Sequence, residues 1–299
     1  MNETHEVPEN LDSKLKLGLV LNTGFTVFEF IIGFFSGSLA LISDAAHNLT
    51  DSMSLLISFF ATKISKRKAN IDKTYGYGRA TVLAAFVNAL ILLGLAIYIF
   101  IEAYKRFQNP QPVEGGLVII VAFVGIIING SIAYLFFKSR GDLNIRSAFL
   151  NMAMDALASV GALTAGFIIV LTGKTFADPF ISIIIGCMLV YSGWSVVKDA
   201  LHVLLEGTPE GTDLVKIKKA ICAMSGVTGI DDLHVWALST TNAALSAHVI
   251  IKKMSLEESI ILTKNIKEKL KKDFHIEHAT LETQLTEGPH DKERTDEGV

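Results

Sequence analysis

This 299-residue sequence predicts a bundle of six membrane-spanning helices followed by a small water-soluble α+β domain. Three observations predict it. Half of the residues are apolar, and nearly all of these fall before about residue 205, whereas the last third is rich in Lys, Glu and Asp. Six apolar stretches each reach the ~20 residues that a helix needs to cross the hydrocarbon core. After Thr208 the pattern turns to short segments with helical and strand periods. The expected organisation is a polar, flexible 1–13, a membrane domain over 14–205, a soluble domain over 206–285 and a disordered tail over 286–299.

The spans run Leu15–Phe35, Leu39–Ile64, Thr81–Tyr104, Leu117–Phe137, Ile145–Leu171 and Phe176–Val197. Gly37 and Ser38 separate the first pair, Pro110, Pro112, Gly115 and Gly116 the third from the fourth, and Gly173 and Pro179 the last two. Lys14 and Lys16, the loop with Lys63, Lys66, Arg67, Lys68, Lys73 and Arg79, and the loop with Lys138, Arg140 and Arg146 carry eleven basic residues on one side. The other side has three, Lys105, Arg106 and Lys174. The positive-inside rule therefore puts both termini and the soluble domain in the cytosol. The basic loop Lys63–Lys68 sets topology and can touch anionic lipid headgroups.

In the soluble part, Pro209 and Asp213 open a helix with Leu214, Ile217, Ile221 and Met224 at helical spacing. Gly229–Leu238 and Ala243–Ile251 read as strands around a turn at Thr240-Thr241-Asn242. Ser255 with Glu258 forms a capping box for a second helix running to about Lys272. Ile276–Leu285 is a last strand, so one sheet is covered by two helices.

A formal charge of -3 points away from nucleic acid, and Cys187 and Cys222 fall in different domains and form no CxxC pair. Met1–Ser13 lacks the apolar core and cleavage site of a secretory signal, so no processing is expected. With short loops and no targeting signal, the expected location is a bacterial inner (plasma) membrane.

Charged groups inside spans are costly and face the bundle interior or a water-filled path. Span two carries Asp44, His47 and Asp51, which spacings of three and four place on one helical face. Span five carries Asn151 and Asp155, four apart. Facing stripes from His47, Asp51, Asn151 and Asp155 would make a four-ligand site in which two carboxylates cancel the charge of a divalent cation. The imidazole favours Zn²⁺ or another transition metal over Ca²⁺ or Mg²⁺. Four protein ligands leave little room for water, which fits carriage rather than catalysis. Glu29 is the next candidate, as a proton site or pathway residue; Asn22, Asn88, Glu102 and Asn129 are read first as inter-helix ties, and Asp178-Pro179 as the cap of span six.

The run Ser36–Asp51 (SGSLALISDAAHNLTD), Tyr75–Arg79 (YGYGR), Asp178-Pro179, Asp232–Leu238 (DLHVWAL), Ser246–Val249 (SAHV) and His278–Leu281 (HATL) resemble the cation diffusion facilitator family over nearly the whole chain. The resemblance implies a homodimer of six-helix membrane domains, each with a ferredoxin-like, metallochaperone-like cytosolic domain. It also implies export of a cytosolic divalent metal, zinc first, in exchange for protons. Two departures stand out. The family's helix-five motif is His-x-x-x-Asp, and here Asn151 takes the first place, which softens zinc preference toward Mn²⁺ or Fe²⁺ and removes a proton carrier. The loops lack the His residues of some relatives' accessory sites. His234, His248 and His278 match positions where relatives bind regulatory metal, with Glu282 joining them; the Gln-then-Glu order of relatives is reversed here, as Glu282 and Gln284. His275 lies nearby, at a helix end where its charge would suit the dipole.

Two other classes compete. A membrane metalloenzyme would need a general base beside an open metal position, and there is no HExxH or nucleophile motif. A membrane-anchored metal sensor would leave the intramembrane Asp residues without a use.

Overall fold

The computed structural model describes residues 9–137, 143–239 and 242–285. Six long helices come first: α1 (Glu9–Ser36), α2 (Leu39–Ser65), α3 (Ala80–Gln108), α4 (Gly115–Phe137), α5 (Leu143–Thr172) and α6 (Ala177–Leu204). Then follow α7 (Leu214–Cys222), β1 (Val227–Ala237), β2 (Ala243–Ile251), α8 (Leu256–Phe274) and β3 (Ile276–Gln284). The six expected helices are present, with α1 starting at Glu9, ahead of the apolar run. Among the described residues, four stretches are long and apolar enough to cross a membrane: Ala80–Gln108, Gly115–Tyr134, Met152–Thr172 and Ala177–Leu204. Leu21–Ser36 adds a shorter one, and α2 is the polar member of the set. The basic residues Lys138 and Arg140, the turn residues Thr240 and Thr241 and the tail from 286 onward lie outside the described residues.

The chain forms two compact units. The first holds the residues up to Ile57 with Val87–Val196, the second Ser58–Phe86 with the residues from Val197 onward. In the first, Phe25, Leu41, Val121 and Ala162 draw α1, α2, α4 and α5 around one core. Leu92, Ala96, Ile99 and Leu189 pack α3 on α6. Small residues let the helices close. A Cβ on Gly166 would lie 3.1 Å from the Gly115 carbonyl oxygen, and one on Gly125 only 2.7 Å from Ser159 Oγ.

At the end of the bundle where α1 turns into α2, one carboxylate organises four segments. Asp178, fully buried on the first turn of α6, accepts from Ser38 Oγ at 2.5 Å, Leu39 N at 2.7 Å and Ala40 N at 3.2 Å. The Ser38 hydroxyl in turn accepts from Leu41 N. The free N–H groups of α2's first turn are thereby satisfied. Arg106, near the end of α3, donates to Asp178 Oδ2 and to the carbonyl of Gly37, and pairs with Glu102. This corrects the expectation that Asp178 caps α6. Its side chain reaches across the bundle and caps α2, because the orphan donors there attract a buried carboxylate that α6, with its own first turn, can present. Gly37 holds φ +70°, and a Cβ there would meet the Pro112 carbonyl at 2.7 Å.

In the second unit, β1 pairs antiparallel with β2, and β2 parallel with β3, in the order β1-β2-β3. The α8 crossover between β2 and β3 makes the parallel pair possible. Ile217 and Ile221 of α7 and Leu262, Ile266 and Leu270 of α8 pack against Leu245, Ala247 and Val249 on one face of the sheet. Asp213 caps α7 through Lys216 N, and Ser255 with Glu258 forms the complete capping box of α8. These bonds hold the Asp213 and Glu258 carboxyls below the usual carboxylate range. Their stabilisation is full at neutral pH and fades as pH falls through that range. His275 is the left-handed cap that ends α8, with its N–H on the Leu270 carbonyl.

Removing the Asp178 carboxylate leaves the Leu39 and Ala40 N–H groups of α2 buried without partners and takes from Arg106 one of its three acceptors. Asp178→Ala is expected to lower stability by about 3–5 kcal/mol, read as a fall in the unfolding midpoint of the purified protein in a denaturing-detergent titration. Asp178→Asn, which keeps an acceptor oxygen, falls between that variant and the native chain.

Candidate metal transport site

The polar side chains of α2 divide into two kinds. Hydroxyls spend their protons on their own helix: Ser43 on the Leu39 carbonyl, Thr50 on Ala46 and Ser52 on Asn48. The groups on the inward stripe do not. Nδ1 of His47 and Nδ2 of Asn48 are buried without a hydrogen-bond partner among the described residues, and the buried Asp44 carboxyl has only the Glu29 carboxyl beside it. A buried polar group left this way costs about 1–3 kcal/mol, so the stripe is built for something other than helix pairing.

Asp44, His47 and Asp51 line a cavity of about 500 Å³ together with Asp155 from α5 and Cys187, Met188 and Ser192 from α6. His47 Nε2 lies 3.9 Å from Asp51 Oδ2 and 4.0 Å from Asp155 Oδ1. Neighbouring donors around a tetrahedral zinc stand about 3.4 Å apart, since each ligand is ~2.0–2.1 Å from the metal. The His47–carboxylate pairs are thus slightly splayed. Among the described residues no group of three or more His, Cys, Asp or Glu side chains converges closely enough to hold a metal as it stands. Asn151 sits one turn before Asp155 on α5, and its side chain lies outside the described ones.

A second polar layer adjoins the cavity. Gly33 packs on Leu41, so Glu29 of α1 comes level with Asp44, and the two buried carboxyls lie within hydrogen-bonding reach of each other, so that one shared proton can join them. Along the antiparallel seam of α4 and α5, Gly115 faces Gly166 and Gly125 faces Ser159. That register brings Asn129 level with Asp155; its amide is fully buried, with neither atom partnered among the described residues. Asn88 is an inter-helix tie, as expected, and accepts from Ser54 of α2, whereas Glu102 pairs along its own helix with Lys105 and Arg106.

In the soluble unit, His234, His248 and His278 fall on β1, β2 and β3. All three occupy the sheet face opposite α7 and α8, because a bulge at Asp232, with φ +47°, resets the alternation between Asp231 and His234. The three are not gathered at one point. His248 is paired in register with both Asp231 and Glu282, with Nε2 3.7 Å from the Glu282 carboxylate. His234 Nε2 bonds Asp232 Oδ1 at 2.8 Å, and His278 stands edge-on to the Tyr75 ring.

The cation efflux transmembrane domain family matches residues 15–205, and the cytoplasmic domain of cation efflux proteins matches residues 209–283. The chain belongs to the cation efflux family. It is an integral membrane transporter and not an enzyme. It is similar over nearly its whole length to relatives in the family. The metal cation efflux system protein CzcD of Cupriavidus metallidurans is 39% identical over 94% of this chain and 89% of its own length. The cadmium, cobalt and zinc/H(+)-K(+) antiporter of Bacillus subtilis is 36% identical, covering 96% of this chain and 94% of its own. The zinc transporter ZitB of Escherichia coli is 36% identical over 96% and 92%.

The α6 wall of the cavity escaped the sequence reading, and Asp44, read on the inward face with His47 and Asp51, stood outside the four-ligand set. Asp44 was on the right face, but nothing in its spacing distinguishes a cavity-lining carboxylate from one tied to a neighbour. The α6 wall has no charged residue at cavity depth to announce it. The seam of α4 and α5 sets the position of Asp155, and a Cβ on Gly125 would crowd both Ser159 and Phe25. Gly125→Val is therefore expected to weaken metal binding by about tenfold, measured by titration calorimetry, while Gly94→Ala, with open space around it, leaves binding unchanged.

Proposed function

We propose that this protein exports divalent cations, Zn²⁺ first, from the cytosol by alternating access around His47, Asp51, Asp155 and Asn151. The observation that carries this reading is the inward stripe of α2 meeting Asp155 at one cavity in the bundle of a cation efflux transporter. The zinc, cadmium and cobalt in the names of relatives support the class of cation. The metal binds deprotonated donors and displaces protons; a small inward movement of α2 on α5 would bring the splayed donors to coordination distance. Return of protons then drives release. Glu29 and Asp44 are suited to carry them, alongside His47.

In this reading the protein is a multi-pass homodimer in a bacterial inner membrane with both termini in the cytosol, which the basic loops support. The match of residues 209–283 to a cation efflux cytoplasmic domain supports the dimer. Metal held by His248 and Glu282, with His234 or His278 swung in, would bias dimer packing and tune transport.

The amide at Asn151 favours a harder cation, so preference for Mn²⁺ or Fe²⁺ is the second reading. Flux into proteoliposomes under an imposed pH gradient separates the two. Zinc flux in the native protein, abolished in both Asp51→Ala and Asp155→Ala, is the expected result, and flux retained in both variants would overturn the site. Manganese flux in the native protein, with zinc moving only in Asn151→His, would replace zinc by the harder cation. His248→Ala is expected to lower flux less than twofold at saturating metal but to shift its dependence on cytosolic-side zinc, read in the same vesicles.

A further inference from the structure

Behind the metal donors the bundle buries two carboxyls that no cation answers. Glu29 of α1 is 0% exposed and Asp44 of α2 1%, and each lies within hydrogen-bonding reach of the other. Other acids of the bundle have positive or N–H neighbours: Arg106 and the N–H groups of α2 for Asp178, Lys105 and Arg106 for Glu102, and His47 near Asp51 and Asp155. Glu29 and Asp44 have neither an ion pair nor an N–H donor among the described residues.

The close approach of α1 and α2 builds the pair. A Cβ on Gly33, one turn after Glu29, would lie 3.0 Å from Leu41 Cβ and 3.1 Å from Ile42 N, so a side chain there would push the two helices apart. Two adjacent carboxyls in so dry a space cannot both stay charged, and with no cation beside them they hold a proton between them. Asp44 lines the transport cavity and Glu29 does not. The negative charge therefore sits on Asp44, nearer water, and the proton on the sealed Glu29. The ionisable groups that face the pair are His47 and Asp51 of α2, Asp155 of α5, and Cys187 and Tyr191 of α6. On α4, which packs on α1, the one ionisable residue is the exposed Tyr134. His47 pairs with Asp51 and Asp155 and not with Asp44, so the carboxyl pair stands outside the donor set.

We propose that Glu29 and Asp44 form a proton site separate from the metal donors, and that this site carries a proton exchanged for each cation. The assignment rests on the transport site proposed above. A divalent cation at His47, Asp51 and Asp155 favours the doubly ionised pair through space. The Glu29 O–H bond then breaks, and the proton passes by way of Asp44 to cavity water. Once the cavity faces the other side, a proton returns to Glu29, one negative charge is lost and the hold on the cation weakens. Exchange at this site works through charge, with no atom shared between proton and metal.

The test counts the protons released per Zn²⁺ bound by the full-length protein, by calorimetry in buffers of different ionisation enthalpy. Glu29→Gln keeps a hydrogen bond to Asp44 but fixes the pair at one negative charge. It is expected to release about one proton fewer than the native protein, so that its Zn²⁺ affinity rises less steeply with pH. Glu29→Asp, which keeps two carboxyls, restores the count. An unchanged count in Glu29→Gln overturns the proposal, even where affinity falls at every pH as a structural role would make it. If the variant fails to fold, infrared difference spectra of the native protein decide. Zn²⁺ is expected to remove a protonated-carboxyl C=O band that moves when the glutamates are isotope-labelled; no such band, or one indifferent to the label, overturns the proposal. An unchanged count with flux lost in Asp51→Ala and Asp155→Ala removes the pair and leaves the transport site standing, whereas flux retained in both removes the site itself.

Discussion

The first turn of α2 depends on a carboxylate that α2 does not own. A helix that begins inside an apolar bundle has no water to satisfy its first N–H groups, and each would be costly if left bare. Asp178 meets that need from α6, and its own charge is met by Arg106 from α3. Because the same arginine also holds the Gly37 carbonyl, the turn between α1 and α2 is fixed in the same knot. Every residue of the inward stripe is counted from this point. The depth of Asp44, His47 and Asp51 in the bundle is therefore set by a contact that lies outside the site.

The bundle economises on polar groups everywhere except along that stripe. Most serines and threonines are tied to their own backbone, Asn88 to the neighbouring α2, Glu102 to Arg106 on its own helix, and Asp178 to the knot. Most of the bundle's buried polar groups without a settled bond, among the described residues, lie in one region, Glu29, Asp44, His47, Asn48 and Asn129, with Asn22 two turns from Glu29 along α1. In a low-dielectric interior, such a concentration is stable only if a charged or protonic guest shares it.

Much of this was readable from the residues. Gly37-Ser38 marked the α1–α2 turn, the period-two run gave β2 at Ala243–Ile251, and Ser255 with Glu258 gave the start of α8. These signals are local: a turn, an alternation and a cap each act within a few positions. The contacts that escaped are long-range or break a local rule. An Asp-Pro pair at a helix start looks like a cap for that helix, and only the folded bundle shows it capping another, 140 residues away in sequence. The bulge at Asp232 lies inside a strand-like run, where a single aspartate in the left-handed region does not stand out, yet without it Asp231 and His234 would face opposite sides of the sheet. The family resemblance supplied the three soluble-domain histidines, but not their separation, which follows from a register that places His248 against Glu282 and His278 against Ala244.

The knot at Asp178 also makes α2 a lever. With a rise of 1.5 Å per residue, Asp44 stands about 8 Å along the helix from Leu39 and Asp51 about 18 Å. A tilt of α2 pivoting at its capped end moves the far carboxylate more than twice as far as the near one. Rocking of a few degrees thus spreads the donor set unevenly, pulling Asp51 away while Asp44 hardly moves. A cation held between them would feel its coordination open from one side, that of Asp51, the more exposed of the two carboxylates.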